Sequence, residues 1–383
     1  MVSAGATDRA ATGFHDIGLR MVKNRGGEIG FRVLVGGGQG RTPRAAQVLN
    51  AFLPTRHLLS YLEAILRVYN AAGRRDNIYK ARIKILVEAM GISAFADAVN
   101  SEWLGLQSNG LDLPVAEQDR ILAHFAPPVL KPVRDGSAEV LARRQADKAF
   151  DLWAASNIHP HWHPGYGSAS VSLKQIGRPP GDASASEMIA IADLADQFGR
   201  GELRITYTQN IIVPHIKLID LPTFYDGLIK AGLAGAEDAL IGDIIACPGL
   251  DYCNLANARS LPVADRIFAR FDDPSRRHEI GPLRLNISGC INACAHHHAA
   301  DIGVLGVNKK GVEHFQITLG GKAGEAAQIG RILGPSFAEE DVPDAIETII
   351  NIYLGARHEG EIFAACLDRL GIAPFKEALY GTG

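Results

Sequence analysis

The chain has 383 residues, 47% of them apolar and 21% charged, with 39 Lys plus Arg against 42 Asp plus Glu. That length supports two or three domains with sizeable cores, and a net charge of −3 gives no bias toward nucleic acid or membrane as a partner. Residues 1–13 lack the apolar core of a secretory signal and no stretch reaches bilayer-spanning length. Five cysteines, four in one constellation, make no disulfide framework and point to reduced thiols and a cytoplasmic address.

In chain order, the first element is one copy of an internal repeat. Asp16-Ile17-Gly18-Leu19 returns as Asp301-Ile302-Gly303-Val304. The strand Phe31-Arg32-Val33-Leu34-Val35-Gly36-Gly37 returns as Phe315-Gln316-Ile317-Thr318-Leu319-Gly320-Gly321. The helical stretch Ile65-Leu66-Arg67-Val68-Tyr69 returns as Ile349-Ile350-Asn351-Ile352-Tyr353. From Phe31 to Tyr69 the offset stays at 284 residues. Each copy predicts a β-hairpin followed by helices, so one domain is built from two related halves. In the second copy a strand, Leu283-Arg284-Leu285-Asn286-Ile287-Ser288, precedes Asp301. Val2-Ser3 aligns with Ile287-Ser288, so the sequence reads as starting inside the matching strand, with its first half cut short.

Within the first copy, Gly36-Gly37-Gly38-Gln39-Gly40-Arg41 is a loop of backbone donors. Further on, Asn77-Ile78-Tyr79-Lys80-Ala81-Arg82-Ile83-Lys84 sets three cations at alternate positions. On an extended strand they share one face and offer donors to a polyanion; a solvated basic face is the competing reading. Ala126-Pro127-Pro128 and Lys131-Pro132-Val133 break the pattern as a linker. Residues 166–173 predict a strand, Arg178-Pro179-Pro180-Gly181-Asp182 a turn, and 188–198 a helix capped by Ser184 or Ser186. Two more strands follow, at 203–207 and 211–213. This β–turn–α–β–β plan is half of a ferredoxin-like unit. The expected spans are 1–125 for the first domain half, 126–150 for the linker, 151–230 for the ferredoxin-like half-domain and 231–383 for the second half. Residues 342–354 and 361–370 read as closing helices.

The second half carries the chemistry. Cys247 and Cys253 stand in a C-x5-C loop, and Cys290 and Cys294 in a C-x3-C loop. Four thiolates close a site for zinc or an iron–sulfur cluster. Zinc hooks favour C-x2-C, so the wider spacing reads as a cage around a cubane cluster; four small buried side chains is the bland alternative. Pro248 and Gly249 shape the first loop so that backbone N–H groups can point at sulfur. Gly289 permits close approach of backbone to a cofactor. Asn292 either hydrogen-bonds a sulfur or caps a helix that follows. His296-His297-His298 cannot converge on one ion, because adjacent helical residues point about 100° apart; at most one faces a cofactor, and the others meet solvent or a local hydrogen bond. Cys366 reads as a buried core thiol.

Ala246-Cys247 through Cys253-Asn254-Leu255-Ala256, together with Ser288-Gly289-Cys290-Ile291-Asn292-Ala293-Cys294, resembles the signature of the sirohaem-containing nitrite and sulfite reductases. The resemblance extends over essentially the whole chain, which would match about the last two-thirds of a family member. It implies an α+β, sulfite reductase hemoprotein-like fold, with two related sirohaem/[4Fe–4S] halves flanking one ferredoxin-like half-domain. It implies a [4Fe–4S] cluster on Cys247, Cys253, Cys290 and Cys294, with Cys294 bridging to sirohaem iron at the catalytic centre.

Further site residues follow from the same resemblance. Asn77, Lys80, Arg82 and Lys84 resemble a segment that contacts sirohaem, whose eight carboxylates suit Arg and Lys donors. The glycine loop resembles one lying near the cofactor. Arg204-Ile205-Thr206-Tyr207-Thr208-Gln209-Asn210 resembles the family's Arg-x-Thr-x-x-Gln-Asn, which would turn Gln209 and Asn210 toward the cofactor pocket; a plain strand end with a turn is the competing reading. The implied reaction is six-electron reduction of sulfite to sulfide, or of nitrite to ammonia, with a flavoprotein or ferredoxin as electron donor. The wording of the cysteine loops leans to sulfite. No residue here matches the family's lysine pair around the substrate anion, so substrate binding is not carried over. From another class, a non-catalytic Fe–S electron-transfer module is the alternative.

Overall fold

Alternating apolar residues build the first sheet, β1 (Val2–Ser3), β2 (Ile17–Lys23), β3 (Ile29–Val35) and β4 (Gln47–Pro54), hydrogen-bonded in that order. β1 runs parallel to β2 with Val2 opposite Leu19, and β2–β3 is an antiparallel hairpin. Phe31, Val33 and Val35 point to one face, as a period of two requires. Helices α1 (Leu58–Ala72), α2 (Ile83–Met90) and α3 (Ile92–Leu106) supply Tyr61, Ile65, Val87, Phe95 and Val99 to the same core. A further helix, α4 (Val115–His124), buries no residue. The computed structural model describes residues 1–106 and 111–381. It divides into a first unit, Met1–Val129 with Gly321–Ile329, and a second, Leu130–Gly320 with Gly330–Gly383.

The basic stretch at 77–84 is not a strand. Ile78–Lys80 is a 3-10 turn capped by Asn77, whose Oδ1 accepts from Tyr79 N at 3.0 Å, and α2 follows at Ile83. Ile83, Leu86 and Val87 are buried at i, i+3 and i+4. That helical apolar period outweighs the alternation of the cations, so Lys80, Arg82 and Lys84 do not share a strand face.

The second unit opens with α5 (Ser137–Ala146) and α6 (Lys148–Asn157), which occupy much of the stretch expected to be a linker. Asp147 caps α6, accepting from Ala149 N and Phe150 N. An unforeseen short strand, β5 (Ile158–Pro160), comes next. It joins β6 (Tyr166–Val171), β7 (Arg204–Ile205) and β8 (Ile211–Lys217) in an antiparallel sheet of order β5-β6-β8-β7. Ser184 caps α7 (Ala185–Phe198) in a reciprocal box with Glu187. With α8 (Leu221–Ala231) these elements enclose Phe150, Trp153, Val171, Val213 and Phe224. β7 is shorter than expected because the Thr206 hydroxyl accepts from Asn210 N at 3.0 Å and closes a turn.

The last sheet has the order β13-β12-β11-β10-β9, from β9 (Ile245–Ala246), β10 (Leu285–Ser288), β11 (Ile302–Lys309), β12 (Val312–Leu319) and β13 (Arg331–Ile332). It repeats the first sheet: Ile287 faces Val304 across parallel β10–β11, and β11–β12 is again a hairpin. Lys310 and Gly311 both take positive φ in its two-residue turn. Helices α9 (Ser260–Arg270), α10 (Pro274–Ile280), α11 (Val342–Ala356), α12 (Phe363–Leu370) and α13 (Ala373–Tyr380) pack round Leu285, Ile287, Val304, Ile317 and Ile349. Cys366 is fully buried in that core. Among the described residues no helix is long and apolar enough to cross a membrane.

Candidate metal centre

The first cysteine loop leaves the sheet at Ala246. Cys247 N donates to Ile287 O on β10 at 3.1 Å, and the Ser260 hydroxyl at the start of α9 donates to Cys247 O. The chain then turns through Gly249–Asp251, and Cys253 N donates back to Gly249 O at 2.9 Å. Gly249 has φ +61, a conformation that side chains resist.

The second loop starts from the end of β10 and lies directly on the first. Gly289 N donates to Cys247 Sγ at 3.0 Å, while Gly289 O accepts from Asn257 N at 2.8 Å and Ala258 N at 3.0 Å. A Cβ on Gly289 would stand 2.6 Å from Ala258 O and 2.8 Å from Gly249 Cα. The glycine is therefore required by loop-on-loop packing. Asn286 Nδ2 donates to Ala295 O at 2.7 Å and ties the far end of the loop to β10.

All four thiols are thereby neighbours. Burial, together with the charges of Cys247, Cys290 and Cys253, pushes the Cys294 thiol above its ordinary value. Cys290 is buried, Cys247 and Cys253 are half-buried, and Cys294 alone is exposed. Among the described residues no three His, Cys, Asp or Glu side chains converge as one ion requires. A cubane cluster takes one thiolate at each of four corners, and two loops that bring four cysteines together supply that donor set. The N–H···S bond from Gly289 is the kind of contact that tunes such a cluster. A cleft of about 720 Å³ in the same unit, lined by Leu152, Lys174, Tyr225, Glu237, Phe268 and Arg277, contains none of these cysteines.

The remaining candidates are placed less simply. Asn292 is exposed in a turn and caps no helix, since the next helical turn, His297–Ala299, has His296 as its N-cap. His296 is left-handed with φ +57, which breaks the helical path expected for the histidine run. His297 meets neither solvent nor a hydrogen bond: it is fully buried and neither ring nitrogen has a hydrogen-bond partner. Burial, with His298 and His296 adding to it, holds its pKa down to about 3, so the ring stays neutral.

Gln209 does not project into open space. Its Nε2 donates to Ala246 O at 3.0 Å and its Oε1 accepts from Ala246 N at 3.1 Å. Asn210 is buried and fully used. Its Oδ1 accepts from Leu173 N at 3.2 Å, and its Nδ2 donates to Asp243 Oδ1 at 2.8 Å.

In the first unit, Arg82 forms a two-bond fork with Asp16 at 3.0 and 2.7 Å. The buried Lys84 ammonium donates to Gln39 O at 2.7 Å and Thr42 O at 2.8 Å, closing the glycine loop over itself. Burial and the nearby Arg82 charge lower its pKa. Arg82 and Lys84 are thus held by groups of their own unit, while Lys80 is exposed. Ser260 and Asn286, which brace the two loops, escaped sequence reasoning. Serine at a helix start was the one available signal for the first.

The family model "Nitrite and sulphite reductase 4Fe-4S domain" covers residues 1–105 and 238–382, and "Nitrite/Sulfite reductase ferredoxin-like half domain" covers 175–231. The ferredoxin–nitrite reductase of Synechococcus elongatus is 29% identical over 341 residues, 86% of this chain and 58% of that protein. Sulfite reductase [ferredoxin] 2 of Mycolicibacterium paratuberculosis is 28% identical over 348 residues, 88% of this chain and 55% of that protein. The solved NirA protein of Mycobacterium tuberculosis superposes with a TM-score of 0.71 at 25% identity, covering 96% of this chain and 62% of that one. The chain thus spans 55–58% of the length of these two curated relatives. With both family models matched and the cysteine loops inside the first, the chain belongs to the nitrite and sulfite reductase family, whose prosthetic groups are a [4Fe–4S] cluster and sirohaem.

Proposed function

We propose that this chain is the cluster-holding part of an assimilatory sulfite reductase, which takes sulfite to sulfide with six electrons. The observation that supports it is the nest of four thiols with Cys294 alone exposed. Cys247, Cys253 and Cys290 would hold three corners of the cube, and Cys294 the fourth, on the side open to sirohaem. Held there, the cluster and sirohaem would supply the one-electron redox chemistry that sulfite reduction needs. The protein's own contribution is placement: Gly289 N–H and the Ser260 hydroxyl fix Cys247, and Asn286 fixes the Cys294 loop. Relatives named as ferredoxin-dependent favour ferredoxin over a flavoprotein as donor. A cytoplasmic site of action follows from the reduced thiols.

Nitrite as substrate is the second reading, favoured by the nitrite reductases among the relatives. The test begins with anaerobic reconstitution. Four irons per chain and the visible spectrum of a cubane support the centre; a colourless protein overturns it. Turnover with reduced methyl viologen then separates the substrates, with sulfite consumed faster than nitrite as the expected result. The reverse order would move the assignment to nitrite.

A further inference from the structure

We propose that Gln209 is a positioning residue for Cys247, acting through the backbone of Ala246 as a one-residue substitute for a missing strand. The inference rests on the cluster reading above. β9 is the outer strand of its sheet, and Cys247 N bonds inward to Ile287 O. The N–H and C=O of Ala246 therefore point away from β10, to the side where a further strand would pair. An unpaired edge of this kind is costly when half-buried. The Gln209 carboxamide, which sets a donating NH2 beside an accepting oxygen, meets both at 3.0 and 3.1 Å.

The arm that carries this carboxamide is rigid. Gln209 sits at φ +60 in the turn that closes between Thr206 and Asn210. From beneath, the buried Lys174 ammonium donates to Thr208 O at 2.6 Å and Gln209 O at 3.2 Å, and stands 3.7 Å from Asp243. Asn210 binds the same Asp243, two residues before β9. The turn from the ferredoxin-like half and the strand leading to Cys247 are thus locked together at both the carboxylate and the carboxamide. Cys247 is the thiol that accepts from Gly289 N. An N–H donor to a ligand sulfur favours the more negative, reduced cluster, so loosening Ala246 should shift the reduction potential to a more negative value.

The experiment uses the whole chain and two substitutions. Gln209→Leu keeps the bulk and removes both bonds, while Gln209→Glu keeps the acceptor for Ala246 N and loses the donor. In metal-free protein, residue-resolved hydrogen exchange should show the Ala246 amide about tenfold faster in Gln209→Leu, or ~1.4 kcal/mol, and near wild type in Gln209→Glu. In reconstituted protein, Gln209→Leu should have a more negative potential and altered cluster EPR. Unchanged exchange and potential in Gln209→Leu, with wild type loading four irons, overturns the clasp and leaves the cluster reading standing. Equal damage in both variants also overturns it, because general disruption of the turn then suffices. Should Gln209→Leu fail to fold, retained Ala246 protection in Gln209→Glu supports the clasp and lost protection refutes it. A wild type that binds no iron removes the cluster reading and this proposal with it.

Discussion

Gly289→Ala is the substitution that most directly tests how the two cysteine loops make one centre. The added methyl would lie 2.6 Å from Ala258 O and 2.8 Å from Gly249 Cα, where ordinary contact begins at 3.4 Å. Both obstacles are backbone, so no rotamer change relieves them. The loops must separate by the better part of an ångström, and that strains the bonds from Gly289 N to Cys247 Sγ and from Asn257 and Ala258 to Gly289 O. Overpacking of this kind costs about 1–3 kcal/mol. The expected result is a lower thermal midpoint and iron uptake well below four per chain. Gly355→Ala is the control: this glycine is exposed in α11 with nothing within 4 Å of a Cβ. There alanine should stabilise by about 0.5–1 kcal/mol and leave iron binding alone. Wild-type iron content and midpoint in Gly289→Ala would refute the loop-on-loop account.

Three further outcomes follow from the same structure. Cys366→Ala should keep its iron and lose about 1 kcal/mol of stability from the core, whereas Cys290→Ser should lose the cluster; iron analysis and urea midpoints decide between them. Ser260→Ala removes the hydroxyl that donates to Cys247 O and should cost about 1 kcal/mol, read as a lower urea midpoint. Burial raises Glu237 from 4.5 to about 7, so the unfolded chain releases its proton first. Folded stability is then full below the unfolded value and falls as pH climbs through about 7, by roughly 3 kcal/mol. Glu237→Gln should remove that loss, matching wild type near pH 4 and exceeding it near pH 8 in urea midpoint; a less stable variant near pH 8 would instead show the ion pair with Arg277 to be net favourable.

How far the sequence spoke depended on how local each determinant is. The two cysteine loops, Cys247 with Cys253 and Cys290 with Cys294, were legible as a pair because residue type and spacing are local to each loop. The hairpins were legible because apolar alternation recurs in both copies. At Lys80, Arg82 and Lys84 two periods overlapped. The alternation of cations suggested a strand, while Ile83, Leu86 and Val87 carried the helical one, and burial sided with the apolar residues. Gln209 and Asn210 were singled out, but their partners, Ala246 and Asp243, are over thirty residues away, and no local pattern names a tertiary partner. The path of the histidine run was not legible for a backbone reason: a regular helix was expected, and His296 lies in the left-handed region just before a short 3-10 turn.

The two halves share more than their strands. At a constant offset of 285, left-handed Ala11 corresponds to left-handed His296, and the 3-10 turn Thr12–Phe14 to His297–Ala299. Gly18 and Gly303 also correspond. A Cβ there would strike Thr12 O at 2.3 Å in one copy and His297 O at 2.1 Å in the other. The backbone path is thus set by the close approach of that turn to a strand glycine, a steric demand indifferent to which side chains the turn bears. In the first copy the turn carries Thr12, which donates to Asp8 at 2.7 Å and needs nothing else. In the second, the positions of Asp8 and Thr12 hold Ala293 and His297, and those of Gly5 and Arg9 hold Cys290 and Cys294. A scaffold that closes without regard to its side chains leaves them available for chemistry. Cluster ligands could therefore be carried by one copy alone, while the other kept the same loop as plain structure.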